Sequence, residues 1–114
     1  MTVPQVPLLH EMIAARAART PDLAVVTFDT TSGPDEVRTY QQLWDNGRRL
    51  AAALLARGLG RGGHFALLMA NHPEFVEAMI AASLTATVFV PIDPRTRGEK
   101  LVYLLKHAEC RGVI

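Results

Sequence analysis

The sequence predicts an α/β fold with a parallel, doubly wound sheet and flanking helices. Three observations carry this. Two apolar runs, Phe65-Ala-Leu-Leu-Met69 and Thr87-Val-Phe-Val90, have the continuous pattern of strands buried on both faces. Helical patterns follow each of them, at Pro73 to about Leu84 and at Glu99 to Ala108, and a third apolar run opens at Arg111-Gly-Val-Ile114. Strand, helix, strand, helix, strand with short joints requires right-handed crossovers, hence parallel strands.

The elements follow in order. Pro4 and Pro7 keep the start extended. From Leu8 to Ala18 the residues Leu9, Ile13 and Ala17 recur at helical spacing, and Thr20-Pro21-Asp22 ends that helix. Leu23 to Phe28 is a short β-type run, and Thr30 to Glu36 (TTSGPDE) is a polar turn too short to be a linker. Val37-Arg-Thr-Tyr40 leads into the clearest helix. Thr39 and Gln42 have capping-box spacing. Leu43, Gly47, Leu50 and Leu54 share one face, flanked by Trp44, Ala51 and Leu55, while Asp45, Arg48, Arg49 and Arg57 take the other. Gly58 supplies the stop. Asn71 is the expected cap of the next helix, with Pro73 in its first turn, and that helix (Phe75, Val76, Met79, Ile80) is apolar nearly all round and expected to be buried. The last helix turns Leu101, Leu104 and Leu105 inward. The expected division is a helical region at 1–22 and a βαβαβ unit at 23–114, cut in its last strand as part of a larger fold.

Composition excludes several classes. With 49% hydrophobic and 20% charged residues among 114, the chain is globular. Twelve Lys and Arg are scattered and balanced by eleven acids, for a net charge of +1, which is no nucleic-acid footprint. No apolar run has the length of a membrane span, and the first twenty residues are not a secretory signal. One cysteine, Cys110, allows no disulfide within the chain and fits a reducing, cytoplasmic setting.

Chemistry-bearing motifs are sparse. Gly58-Leu-Gly-Arg-Gly-Gly63 spells G-x-G-x-x-G, but it follows a helix and precedes a strand, the reverse of what a dinucleotide loop needs. It reads as a helix stop and tight turn. His10, His64, His72 and His107 lie in no metal-ligand spacing. His72-Pro-Glu74 reads as a helix start, with Glu74 near the dipole's positive end. Cys110 has no arranged base, and Ser32 and Ser83 lack a nucleophile-elbow context. No catalytic, cofactor-binding or metal-ligating residue is therefore assigned.

Taken together, five segments resemble the adenylate-forming enzymes, the family of acyl-CoA synthetases, carrier-protein ligases, peptide-synthetase adenylation domains and luciferases. These are Arg38-Thr-Tyr-Gln-Gln-Leu43, the helix from Arg48 to Leu59, Met69-Ala-Asn-His-Pro-Glu-Phe75, Phe89-Val-Pro-Ile-Asp-Pro94 and Leu101-Val-Tyr-Leu-Leu105. The resemblance spans about Leu8 to Ile114. It implies the N-terminal part of an AMP-forming acyl-CoA synthetase-like ligase that activates a carboxylic (fatty) acid with Mg-ATP and passes the acyl group to a thiol. Coenzyme A and a carrier protein are the two thiol sources it allows. It also implies that the phosphate loop, the nucleotide-binding acids and the catalytic lysine lie beyond residue 114, so that this segment is scaffold and binds no cofactor itself. Its expected partner is the remainder of the synthetase or a complementing subunit, and the isolated segment is expected to self-associate. The alternative is a free-standing assembly module derived from that fold. Where family members read Lys/Arg-x-Gly before the second buried strand, this chain has Leu84-Thr85-Ala86. In several synthetases that basic residue lies near the nucleotide end of coenzyme A, a part Leu84 cannot play. Alanine in place of glycine leads one to expect an ordinary backbone φ at Ala86.

Overall fold

The computed structural model describes residues 5–114. Helix α1 (Leu9–Arg19) is followed by strands β1 (Ala24–Phe28) and β2 (Glu36–Thr39), helix α2 (Tyr40–Ala56), strand β3 (His64–Leu67), helix α3 (Pro73–Thr85), strand β4 (Val88–Pro91), helix α4 (Gly98–His107) and strand β5 (Cys110–Val113). The extended start expected at Pro4 lies outside the described residues. At Pro7 the chain is irregular, and α1 begins where the Glu11 carboxylate accepts the Leu8 N–H at 3.1 Å.

Two sheets form. β3, β4 and β5 make a parallel sheet in the order β4-β3-β5, with Phe65 opposite Phe89 and His64 opposite Cys110. The chain runs from β3 outward to β4, then crosses back past β3 to β5. Right-handed crossovers therefore place α3 and α4 on opposite faces, which is the doubly wound arrangement. β1 and β2 form a separate antiparallel hairpin, with a bulge between Ala24 and Val26. Its second strand differs from the sequence expectation, which ends a polar turn at Glu36 and takes Val37 to Thr39 as a lead-in to the helix. The strand is short and carries charges at Glu36 and Arg38, so pairing with β1 defines it and composition does not.

The core lies between the central strand and the helices on one face. Phe65 and Leu67 of β3 are wholly buried beneath Ala78, Ala81 and Ala82 of α3 and Leu54 of α2, and Ala66 between them is buried as well. α2 and α3 pack closely, with α1 against both. The approach is tightest at Gly47, where a Cβ would stand 2.6 Å from Ile80 Cγ2.

α2 starts as its capping box demands. Thr39 Oγ1 accepts the Gln42 N–H at 3.2 Å, and the Gln42 side chain accepts the Thr39 N–H at 2.9 Å. It stops at Gly58, whose φ is +83°.

Four expectations need correction. Leu55 is exposed, because the buried stripe of α2 runs through Leu43, Gly47, Ala51 and Leu54 and Leu55 falls beside it. Asn71 does not cap α3; His72 holds the cap position, makes no side-chain cap bond, and leaves the start to Pro73. β4 is not buried on both faces. It is an edge strand, and Val88 is 45% exposed. Ala86 is left-handed, at φ 55°, ψ 36°.

Candidate functional site

In open parallel sheets, ligands meet the crevice beyond the carboxyl ends of the strands. Here that edge is formed by the joints after β3 and β4. Met69, Ala70, Asn71, Phe75 and residues Pro91 to Arg95 line an open cleft of about 630 Å³. Its floor is apolar: Phe75 stands edge-on to Phe89, with centroids 6.2 Å apart. Its rim is the turn after β4. Pro91 ends the strand, and Ile92 returns its N–H to Leu67 O at 2.9 Å. Asp93 then gathers the turn. It accepts the Arg95 N–H at 2.9 Å and both guanidinium contacts, Nε at 3.1 Å and Nη2 at 2.8 Å, while its carbonyl accepts the Thr96 N–H. These bonds from Arg95 hold the Asp93 carboxylate at about 2, below its usual range. Two prolines and this fork make the turn a rigid corner that leads the chain toward α4.

The cleft has a single carboxylate, and Arg95 occupies both of its oxygens. Among the described residues no three His, Cys, Asp or Glu side chains come together as a metal-holding group. A magnesium–ATP complex needs free carboxylates and a phosphate cradle. These residues offer neither, so they do not fit one, and no step of nucleotide chemistry is assigned to them.

The residues singled out in the sequence disperse over the structure. His10 bonds Ser83 through its ring Nδ1 (2.8 Å) and its backbone N–H (3.2 Å), which ties α1 to α3. His107 stacks on Tyr103, with centroids 5.4 Å apart. His64 bonds the Ala108 carbonyl, and His72 is exposed at the head of α3. Cys110 is a free thiol in β5, pushed up in pKa by burial, hence less nucleophilic. Gly58 to Gly63 form a helix stop and turn whose amides bond within the fold: Gly62 N–H to Ala86 O at 2.8 Å, and Gly63 N–H to Gly60 O at 2.9 Å.

The Leu84-Thr85-Ala86 joint sits at the opposite edge of the sheet from the cleft. Leu84 packs against the core cluster. Thr85 is buried, and its hydroxyl donates to Ala81 O at 2.9 Å. Ala86 turns the chain back toward β4. One polar cluster had no signal in the sequence. Arg38 of β2 reaches Glu77 of α3 at 3.3 Å and Glu74 at 3.6 Å. Glu77 is 6% exposed, so this contact neutralises a charge buried between hairpin and helix.

Comparison with known proteins assigns the fold. Residues 13–114 match the sequence profile of the AMP-binding enzymes. The fatty acyl-adenylate ligase of L. pneumophila, solved with acyl adenylate and pyrophosphate, superposes with a TM-score of 0.86 over 96% of this chain and 20% of its own, at 25% identity. The N-terminal subdomain of Klebsiella oxytoca NpsA superposes over 96% of this chain and 27% of that one, with a TM-score of 0.81 and 24% identity. By sequence, tyrocidine synthase 2 of Brevibacillus parabrevis is 28% identical over 106 residues, 93% of this chain. A dimodular nonribosomal peptide synthase of Bacillus subtilis is likewise 28% identical over 106 residues, 93% of this chain. The chain spans only 3% and 4% of those two synthases. The match from residue 13 to residue 114, on a fold shared with acyl-adenylate ligases, shows that this chain belongs to the family of AMP-binding, adenylate-forming enzymes.

Proposed function

We propose that the chain is the N-terminal subdomain of an AMP-forming acid–thiol ligase, with residues 1–22 as its helical lead and 23–114 as a partial βαβαβ unit. The whole enzyme would join a carboxylic acid to ATP, releasing pyrophosphate and leaving an acyl-adenylate. It would then pass the acyl group to a thiol and release AMP. The observation that carries this reading is the superposition of 96% of the chain on a ligase solved with acyl adenylate and pyrophosphate. In this reading the segment is scaffold: it supports the central sheet and presents the rigid Pro91–Pro94 corner, and its partner is the rest of the synthetase or a complementing subunit. We place the enzyme in the cytoplasm, in keeping with one free cysteine. Among the described residues no helix is long and apolar enough to cross a membrane.

For the acceptor we favour a carrier-borne thiol over free coenzyme A. The side chain at position 84 is an aliphatic one packed on the core, so this residue itself supplies no cation to a nucleotide phosphate. Likeness to a nonribosomal peptide synthase agrees with this.

Two assays test the reading. Titration calorimetry of the folded chain with Mg-ATP and with a non-hydrolysable acyl-adenylate analogue is expected to show no binding; saturable heat would overturn the scaffold role. Carboxylate-dependent ATP–pyrophosphate exchange by the complete encoded protein is expected. A folded protein inactive across a panel of fatty, aromatic and amino acids would favour the free-standing assembly module.

A further inference from the structure

We propose that the N-terminal edge of the three-stranded sheet holds a binding site for a phosphate group, formed by Arg61, His64 and Arg111. The site lies at the opposite end of the strands from the cleft beside Asp93.

The topology builds it. β3 and β5 are hydrogen-bonded neighbours with His64 opposite Cys110, so the turn before β3 and the turn before β5 lie side by side. Arg61 comes from the first turn, His64 opens β3, and Arg111 is the second residue of β5. Together with Gly62, Gly63 and Glu109 they line one polar cavity of about 350 Å³, room for a phosphate group and part of the molecule carrying it.

The side chains are placed for an anion. Arg38 and Arg95 are engaged by carboxylates, whereas Arg61 and Arg111 take part in no ion pair among the described residues. Two arginines in one wall suit a phosphate, whose oxygens accept bidentate N–H pairs from guanidinium groups. His64 is oriented by its neighbour: Nδ1 lies 2.6 Å from the Ala108 carbonyl oxygen. A carbonyl only accepts, so Nδ1 carries the proton and Nε2 is left as an acceptor, which can take the O–H of a monoprotonated phosphate.

Side chains must do the recognition. The glycine turn has the letters of a phosphate loop, but its Gly62 and Gly63 amides are already bonded within the fold. Glu109, held at φ 55°, is the one carboxylate in the wall. It opposes an anion and weakens binding.

The test is a titration of the ¹⁵N-labelled chain at low ionic strength with inorganic phosphate and, separately, with glycerol 3-phosphate, using chloride as the control. Saturable shifts are expected at the amides of residues 62–64 and 109–111, with half-saturation in the low-millimolar range. The R61A/R111A double variant, altered only at exposed positions, should keep the rest of its spectrum. It should bind roughly tenfold more weakly, as loss of two exposed charge-assisted contacts implies. Glu109→Gln should bind more tightly. Preference for the ester supports a site for a phosphorylated molecule, and equal binding supports one that reads the phosphate alone. The proposal is overturned if no saturable shift appears, if chloride reproduces it, if amides near Arg16 and Arg57 move equally, or if the double variant binds undiminished.

Discussion

Three residues show how local geometry meets neighbours the sequence does not name. Ala86 takes a left-handed backbone without being glycine, because its carbonyl must face the Gly62 N–H while the chain turns into β4. Its Cβ makes that conformation unfavourable by about 1 kcal/mol. Ala86→Gly should therefore raise stability by up to about 1 kcal/mol, part of the gain being lost to the freer unfolded chain; the midpoint of urea unfolding measures it. Gly47 is the converse case. A methyl there would meet Ile80 at 2.6 Å, so Gly47→Ala should destabilise by about 1–2 kcal/mol despite alanine's better helix propensity. The loss in G47A/I80A should be smaller than the sum of the single losses. At Asp93 the sign of pH linkage is fixed by direction. Its folded-state pKa, about 2, lies below the ordinary 3.8, so its contribution is present above 3.8 and lost as pH falls through about 2. Its exposure makes that contribution salt-sensitive. Carboxyl NMR should place its midpoint near 2, and Arg95→Ala should return it toward 3.8.

At the scale of elements, signals within one turn were legible and pairings between turns were not. The capping box at Thr39 and Gln42 depends on residues three apart, and it is present in the structure as the spacing predicts. Thr39→Ala should cost about 1 kcal/mol in the same unfolding assay. Gly58 and the apolar run of β3 were legible for the same reason. The β1–β2 hairpin was not, since Glu36 to Thr39 becomes a strand only through its partner eight or more residues back. The edge position of β4 likewise follows from strand order, which Val88 to Pro91 do not encode. At the candidate site, the Pro91–Pro94 corner was legible, whereas the Asp93–Arg95 fork and the convergence of Arg61 with Arg111 depend on folding. The Arg38–Glu77 contact links the hairpin to α3. Removing Arg38 leaves a buried carboxylate unpaired. Arg38→Ala should destabilise by about 2–3 kcal/mol, the lower end for a broken buried pair because Arg38 is partly exposed, and the R38A/E77A cycle should show coupling.

For the whole molecule, one face of the sheet is well covered and the other is not. α1, α2 and α3 pack together on one side, while α4 on the other has no fully buried residue. The radius of gyration is 15.7 Å, against about 13 Å for a compact domain of this length. Val88, Val102, Tyr103 and Val113 are each 45% or more exposed. A structure this open is suited to packing against another body. Sedimentation of the isolated chain should show concentration-dependent self-association, whereas a monomer at all concentrations would argue against an incomplete core. The central claim is that this fold belongs to a working ligase. Reading the coding frame beyond the Ile114 codon tests it most directly. The account predicts an open frame running into a Ser/Thr/Gly-rich loop that ends in Lys-Gly. A stop codon directly after Ile114 would contradict it and leave an assembly module of ligase ancestry.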